Sequence, residues 1–236
     1  MLGVLSSEEP WSYPCSFHRR KVIESRENGL KGVLSVVWLA SRNDGKVAEF
    51  AQLLAHAQIR VKPLPNDAGT APETGTSFEA NAVQKALYYG DRVDGWVLSD
   101  DSGLCVEGLS GQPGVYSARF AGEFADDEAN NRKLLTLMED IPTAERTASF
   151  VCVLALWHRG LDAPVVARGE VHGSILRGPS GTDGFGYDPL FVPNGFNQSF
   201  AELSMSEKNL LSHRTVAVHR LLHELGGDML ADLRRE

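Results

Sequence analysis

The stretch "VLSVVWLASRNDGKVAEFAQLL", residues 33–54, changes its hydrophobic period once, and that change decides the fold class. Residues 33–41 are a short apolar run rich in β-branched side chains, the pattern of a buried strand. Beyond the polar turn "SRNDGK", Val47, Phe50, Ala51 and Leu54 recur at i, i+3, i+4 and i+7 and so share one face of a helix. The unit is strand, turn, helix. Such a turn aims the free amides of a helix N-terminus above the end of a strand, a position that suits phosphate. The GxxxxGK[ST] spacing is absent, which excludes a P-loop. Two readings of the turn stay open. It is a helix cap on Asn43 or Asp44 with Lys46 in solvent, or a phosphate cradle built from Ser41, Asn43, the Gly45 amide and Lys46.

The alternation continues outward from this unit. Residues 61–77 are rich in Pro, Gly, Thr and Asp and read as a loop. "SFEANAVQKALYYG" follows as a helix, with Ser77 as its cap and Gly90 as its stop. "GWVLSDDSG" reads as a strand ending in a turn, and "DDEANNRKLLTLMED" as a helix with Pro142 beyond it. "RTASFVCVLALWH" is apolar on both faces in its second half, as a central strand requires. "PVVARGEVHGSIL" is a strand or a hairpin; a glycine-rich loop over 177–193 and a final helix from about Ser206 to Leu225 complete the chain. Helices and strands alternate, but the hairpin-like piece disfavours a purely parallel sheet. The expected fold is α/β, a mixed central sheet flanked by helices. Residues 36–232 read as a single domain. Periodic structure starts only near Val36, so residues 1–35 read as a poorly ordered extension.

Composition narrows the function. The chain of 236 residues has 23 basic and 31 acidic side chains, a formal net charge of −8. That balance argues against nucleic-acid and membrane-surface binding, which need a basic footprint. No apolar run is long enough to span a bilayer. Three widely spaced cysteines (Cys15, Cys105 and Cys152) make neither a disulfide framework nor a zinc site, and fit a reducing, cytoplasmic compartment.

Three clusters carry the chemistry. Asp100 and Asp101 stand side by side after an apolar run, and unpaired buried charge is expensive. Capping a turn at Ser102 and Gly103 needs only one acid. With Glu73 in its Gly/Thr loop, Asp101 offers the one or two carboxylates that Mg²⁺ takes beside water and substrate phosphates. "GTDGFGYDP" fixes Phe185 and Tyr187 between glycines and a proline, either as core filling or as a stacking surface for a base. Lys85, Lys208 and His213-Arg214 lie on predicted helices, where solvated side chains are the commoner outcome. His219 and His223 share i, i+4 spacing but have no implied third ligand, and are set aside.

Read in order, "SRNDGK", "ETGTSFEANAVQKA", "DDSGLCVEGLSGQPGVYSARF", "GFGYDPLF" and "AELSMSEKNLLSHR" resemble the inosine triphosphate pyrophosphatase (Ham1-like) family. The resemblance covers about residues 36–225. It implies a two-lobed α/β fold with a deep substrate cleft, usually a homodimer. It implies Mg²⁺-dependent hydrolysis of the purine nucleoside triphosphates ITP, dITP and XTP to the monophosphate and pyrophosphate, with Mn²⁺ able to substitute. By the same resemblance Ser41, Arg42, Asn43, Asp44, Gly45 and Lys46 match a phosphate-contacting turn, and Lys85 and Lys208 match phosphate-binding lysines. Glu73 and Asp101 match metal-binding acids, Asp101 also as proton acceptor. Ser102, Phe185, Gly186, Tyr187, Asp188, His213 and Arg214 match substrate-binding positions. One departure stands out. Where the family usually reads Thr-Gly-Asn this chain reads Ser41-Arg42-Asn43, which would strain the turn if that position needed a positive φ. The related Maf-like pyrophosphatases, which act on pyrimidines, lack "GFGYDP" and "SEKNLLSHR"; a silent nucleotide binder would need no paired metal carboxylates.

Overall fold

The computed structural model describes residues 36–234, and the extension expected over residues 1–35 lies outside the described residues. Six strands form one sheet in the order β2-β1-β3-β4-β5-β6. They are β1 (Val36–Leu39), β2 (Arg60–Pro63), β3 (Trp96–Val106), β4 (Thr147–Trp157), β5 (Val165–Ile175) and β6 (Phe191–Pro193). β1 runs parallel to β2 and β3, whereas β3 through β6 pair antiparallel. The sheet is therefore mixed, as expected, and β3 and β4 are its central strands. The helices are α1 (Asp44–Ala55), α2 (Phe78–Gly90), α3 (Asp127–Leu137), α4 (Met205–Leu211) and α5 (His213–Leu233). Among the described residues no helix is long and apolar enough to cross a membrane.

Three local readings need correction, and one open alternative is resolved. The loop read over 61–77 begins inside a strand, because β2 is a short, mostly exposed edge whose pattern RVKP carries little hydrophobic signal. The strand-or-hairpin stretch is one strand, β5, paired on both sides. The single final helix is two. Ser212 is extended (φ −69°, ψ 156°), ends α4 and caps α5, its hydroxyl accepting from the Thr215 amide. Lastly, no turn follows the paired aspartates: β3 runs straight through Ser102 and Gly103 to Val106.

That continuity sets the layers. Side chains alternate along a strand, so Leu98, Asp100 and Ser102 face one way and Ser99, Asp101 and Gly103 the other. Leu98 packs with Leu154, Leu156, Phe50 and the α5 residues Ala217, Val218 and Leu221. On the opposite side Val151, Val153 and Ala155 of β4 pack against Phe78, Ala82 and Ala86 of α2. A third apolar cluster, with Leu104, Leu134, Phe150, Phe191 and Phe200, fills the far end of the long strands.

α5 lies so close on β5 that Gly169 has no room for a methyl group. A Cβ there would stand 2.1 Å from the His213 carbonyl oxygen and 2.3 Å from the Ala217 amide. Gly169→Ala is expected to destabilise the fold by about 1–3 kcal/mol or more, measured by urea unfolding. A change within about 0.5 kcal/mol would contradict the packing described.

Candidate active site

The two aspartates meet separate counter-charges because they sit on opposite faces of β3. Asp100, 1% exposed, accepts a hydrogen bond from Lys46 Nζ at 2.7 Å. Burial opposes its ionisation, but Lys46, Arg214 and Lys85 overcome that and hold the carboxyl well below the usual carboxylate range. Asp101 faces α2. Its Oδ2 accepts from Asn81 Nδ2 at 3.0 Å and its Oδ1 from Lys85 Nζ at 3.2 Å. Burial wins here: with Asp100 adding to it against Lys85 and Asn81, the Asp101 carboxyl is raised above the ordinary range.

The cap reading of the first turn holds for Asn43 but not for Lys46. Asn43 caps α1, accepting from the Lys46 amide at 3.0 Å, while the Lys46 side chain turns inward to Asp100 rather than into solvent. Ser41 Oγ accepts from the Asn43 amide. Arg42 does not take a positive φ; among the described residues Gln58 and Ser110 are the non-glycines that do. Its guanidinium instead donates to the Gly69 carbonyl at 2.6 Å, so the departure at this position is accommodated without backbone strain.

A cleft above this face is lined by Asn43, Lys46, Ser102, Phe185, Gly186, Tyr187, Asp188, His213 and Arg214, all expected substrate positions, brought together from four separate segments. Gly45 lies beneath the Phe185 ring, where a Cβ would come within 2.8 Å of Cδ1. Lys208 is held by Asp188 at 2.7 Å and stands 5.0 Å from the Phe185 ring centroid, as does the Arg214 guanidinium. Tyr187, by contrast, is core. It is 3% exposed and donates its hydroxyl to the Ser117 carbonyl, so Phe185 is the ring of this loop left half-buried at the cleft. Ser41, Arg42, Asp44 and Lys208 do not line the cleft, and Glu73, Lys85 and Asp101 gather on the other face of β3.

Several functional neighbours escaped the sequence reading. Glu49, fully buried on α1, accepts from Arg214 at 2.9 Å and from Ser212 Oγ. Asp127 accepts from the Gly186 amide and Asn131 donates to the Gly186 carbonyl, so α3 grips both backbone polar groups of one residue in the aromatic loop. Phe150 stacks on His213 with centroids 4.8 Å apart. His213 is 1% exposed with neither ring nitrogen partnered, and Arg214 Nε is likewise buried and unpartnered. Burial first, then Arg214, Lys208 and Lys46, push the imidazole well below its ordinary value and keep it neutral.

The oxygen donors expected for a metal, Glu73 and Asp101, both reach Lys85 Nζ. Among the described residues no cluster of three or more His, Cys, Asp or Glu side chains could hold one. Two hard carboxylates sharing one cationic point, at present Lys85 Nζ, fit an ion that takes its other ligands from water and phosphate.

A cleft joining lysine and arginine to an aromatic ring, above a mixed α/β sheet, is the site of a nucleotide-handling enzyme. The Ham1 family model matches residues 37–224, and the chain belongs to that family. It is 44% identical over 188 residues to a dITP/XTP pyrophosphatase of Bacillus cereus, covering 78% of this chain and 92% of that protein. A dITP/XTP pyrophosphatase of Geobacter sulfurreducens is 45% identical over 190 residues, covering 80% and 95% respectively. The solved structure of the Staphylococcus aureus Ham1 protein superposes with a TM-score of 0.71 at 38% identity, covering 82% of this chain and 99% of that one.

The state of His213 has a measurable consequence. Its folded pKa lies below its unfolded value of about 6.5, so below that pH the unfolded chain binds a proton that the folded chain does not. Stability is then expected to fall with pH between 6.5 and 5.5 by up to about 1.4 kcal/mol per pH unit from this group. His213→Gln should flatten that slope in thermal melts, and an unchanged slope would contradict a neutral buried imidazole.

Proposed function

We propose that this chain hydrolyses purine nucleoside triphosphates carrying a 6-keto base (ITP, dITP and XTP) to the monophosphate and pyrophosphate. The observation that carries this reading is the set of orphaned polar atoms at the cleft: His213 Nδ1 and Nε2 and Arg214 Nε. Buried polar groups without partners cost free energy, and arginine Nε is always a donor. A 6-keto oxygen satisfies such a donor, whereas the 6-amino group of adenine sets donor against donor, a mismatch that discriminates strongly. Phe185 offers a π-face to the base, and the names of the curated relatives support the same substrate class.

The phosphates would run from this pocket toward Lys46, Lys85 and Lys208, whose charges neutralise the leaving pyrophosphate. We assign Glu73 and Asp101 as the holders of a divalent cation, Mg²⁺ with Mn²⁺ as a substitute. When bound, that ion polarises phosphate oxygens and the attacking water. Asp101 takes the water's proton as its oxygen attacks the α-phosphorus and the bond to the bridging oxygen breaks; a carboxyl raised by burial is the better base for this. A homodimer, which the resemblance implies, belongs to the same proposal.

Pyrophosphate release with Mg²⁺ across dITP, XTP, dGTP, dATP and dTTP tests the reading. The expected order puts dITP and XTP first. Phe185→Ala should raise KM for every purine, by roughly 5- to 150-fold for a stack worth ~1–3 kcal/mol. Preference for dTTP would remove the purine assignment, and an unchanged KM would remove the stacking role.

A further inference from the structure

We infer that Lys85 is a place-holding cation: it balances Glu73 and Asp101 until a divalent ion arrives with nucleotide, so metal loading depends on nucleotide. The inference rests on the assignment of Glu73 and Asp101 as metal ligands. It goes beyond that assignment by giving the order in which the site is filled.

The hydrogen bonds divide the oxygens of each acid. Asp101 gives Oδ2 to Asn81 and Oδ1 to Lys85; Glu73 gives Oε2 to Arg119 at 3.4 Å and Oε1 to Lys85 at 3.1 Å. An ion bridging the two acids would therefore meet the ammonium on the same two oxygens. Lys85 cannot leave readily for water, because it is 7% exposed and lies on a helix whose Ala82 and Ala86 pack against β4. A dication entering alone would stand beside a buried like charge, which opposes binding. Polyphosphate removes the conflict. It would bring negative charge to the ion and offer the displaced ammonium a new acceptor. With its Nζ 3.1 Å from Glu73 and 3.2 Å from Asp101, Lys85 occupies the point between the two acids and is a true competitor for the site.

The test is binding of Mn²⁺ without nucleotide, read by calorimetry on the full-length protein, the wild type against Lys85→Met. The wild type should bind weakly, and Lys85→Met, with the competing charge removed, at least about tenfold more tightly. Thermal melts give a second readout. In metal-free buffer Lys85→Met should melt below the wild type, and Mn²⁺ should raise its melting temperature more than that of the wild type. If the variant does not fold without metal, Mn²⁺ present during refolding should restore it. Equal Mn²⁺ affinity in the two proteins, or no rescue by metal of an unfolded variant, would overturn the inference. Adding Glu73→Gln to Lys85→Met separates the two levels of the claim. If the gained affinity survives that change, the ion is not on these acids, and the metal assignment fails together with the inference.

Discussion

Strand alternation at Asp100 and Asp101 is the constraint on which the site depends. Two adjacent carboxylates on a loop would repel each other in a shared environment. On a buried central strand they are sent to opposite faces, where each can be matched by its own cations. Asp100 meets Lys46 from α1, with Arg214 of α5 contributing on the same side. Asp101 meets Lys85 from α2. The strand thus sets where three helices must place their basic residues.

The consequences spread from these pairs. Turning Lys46 inward requires α1 to begin where Asn43 caps it, which puts Gly45 beneath the Phe185 ring. Arg214 is fixed by Glu49 at one end and donates to Ser102 at the other, with Phe185 5.0 Å away. Lys208 is fixed by Asp188, which also accepts from the Phe185 amide and so ties the aromatic loop to α4. Each cation near the cleft is already paired, so the cleft is electrostatically set before any phosphate enters it. Pairing of this kind stabilises little by itself when buried; its value lies in fixing where the charges stand. Among the buried atoms left without partners, the His213 ring nitrogens and Arg214 Nε are those the proposed purine would meet.

Much of this was legible in the sequence, for identifiable reasons. The period change after residue 41 and the apolar run of β4 predicted the α/β layering and a central strand, because long buried elements have strong periodicity. The cleft residues were legible as motifs in one order along the chain. Short or exposed elements were not: β2 carries almost no hydrophobic pattern, and Ser-Gly after the aspartates mimics a turn although Gly103 is there to let Ser117 and the Gly114 carbonyl come close. Glu49 stayed hidden because a glutamate on an amphipathic helix reads as solvated, and its partner Arg214 lies 165 residues away. Tyr187 and Phe185 look alike in sequence, and only the hydrogen bond to Ser117 assigns the tyrosine to the core.

The central claim is that the two aspartates have separate duties, and a paired comparison of Asp100→Asn with Asp101→Asn tests it directly. Asp101→Asn should lower pyrophosphate release by roughly 100-fold or more while keeping most of the stability. Asp100→Asn should cost more stability than Asp101→Asn, approaching the ~3–5 kcal/mol of a broken buried pair and tempered by the partial exposure of Lys46. Near-normal turnover by Asp101→Asn, or the reverse order of stabilities, would contradict the account.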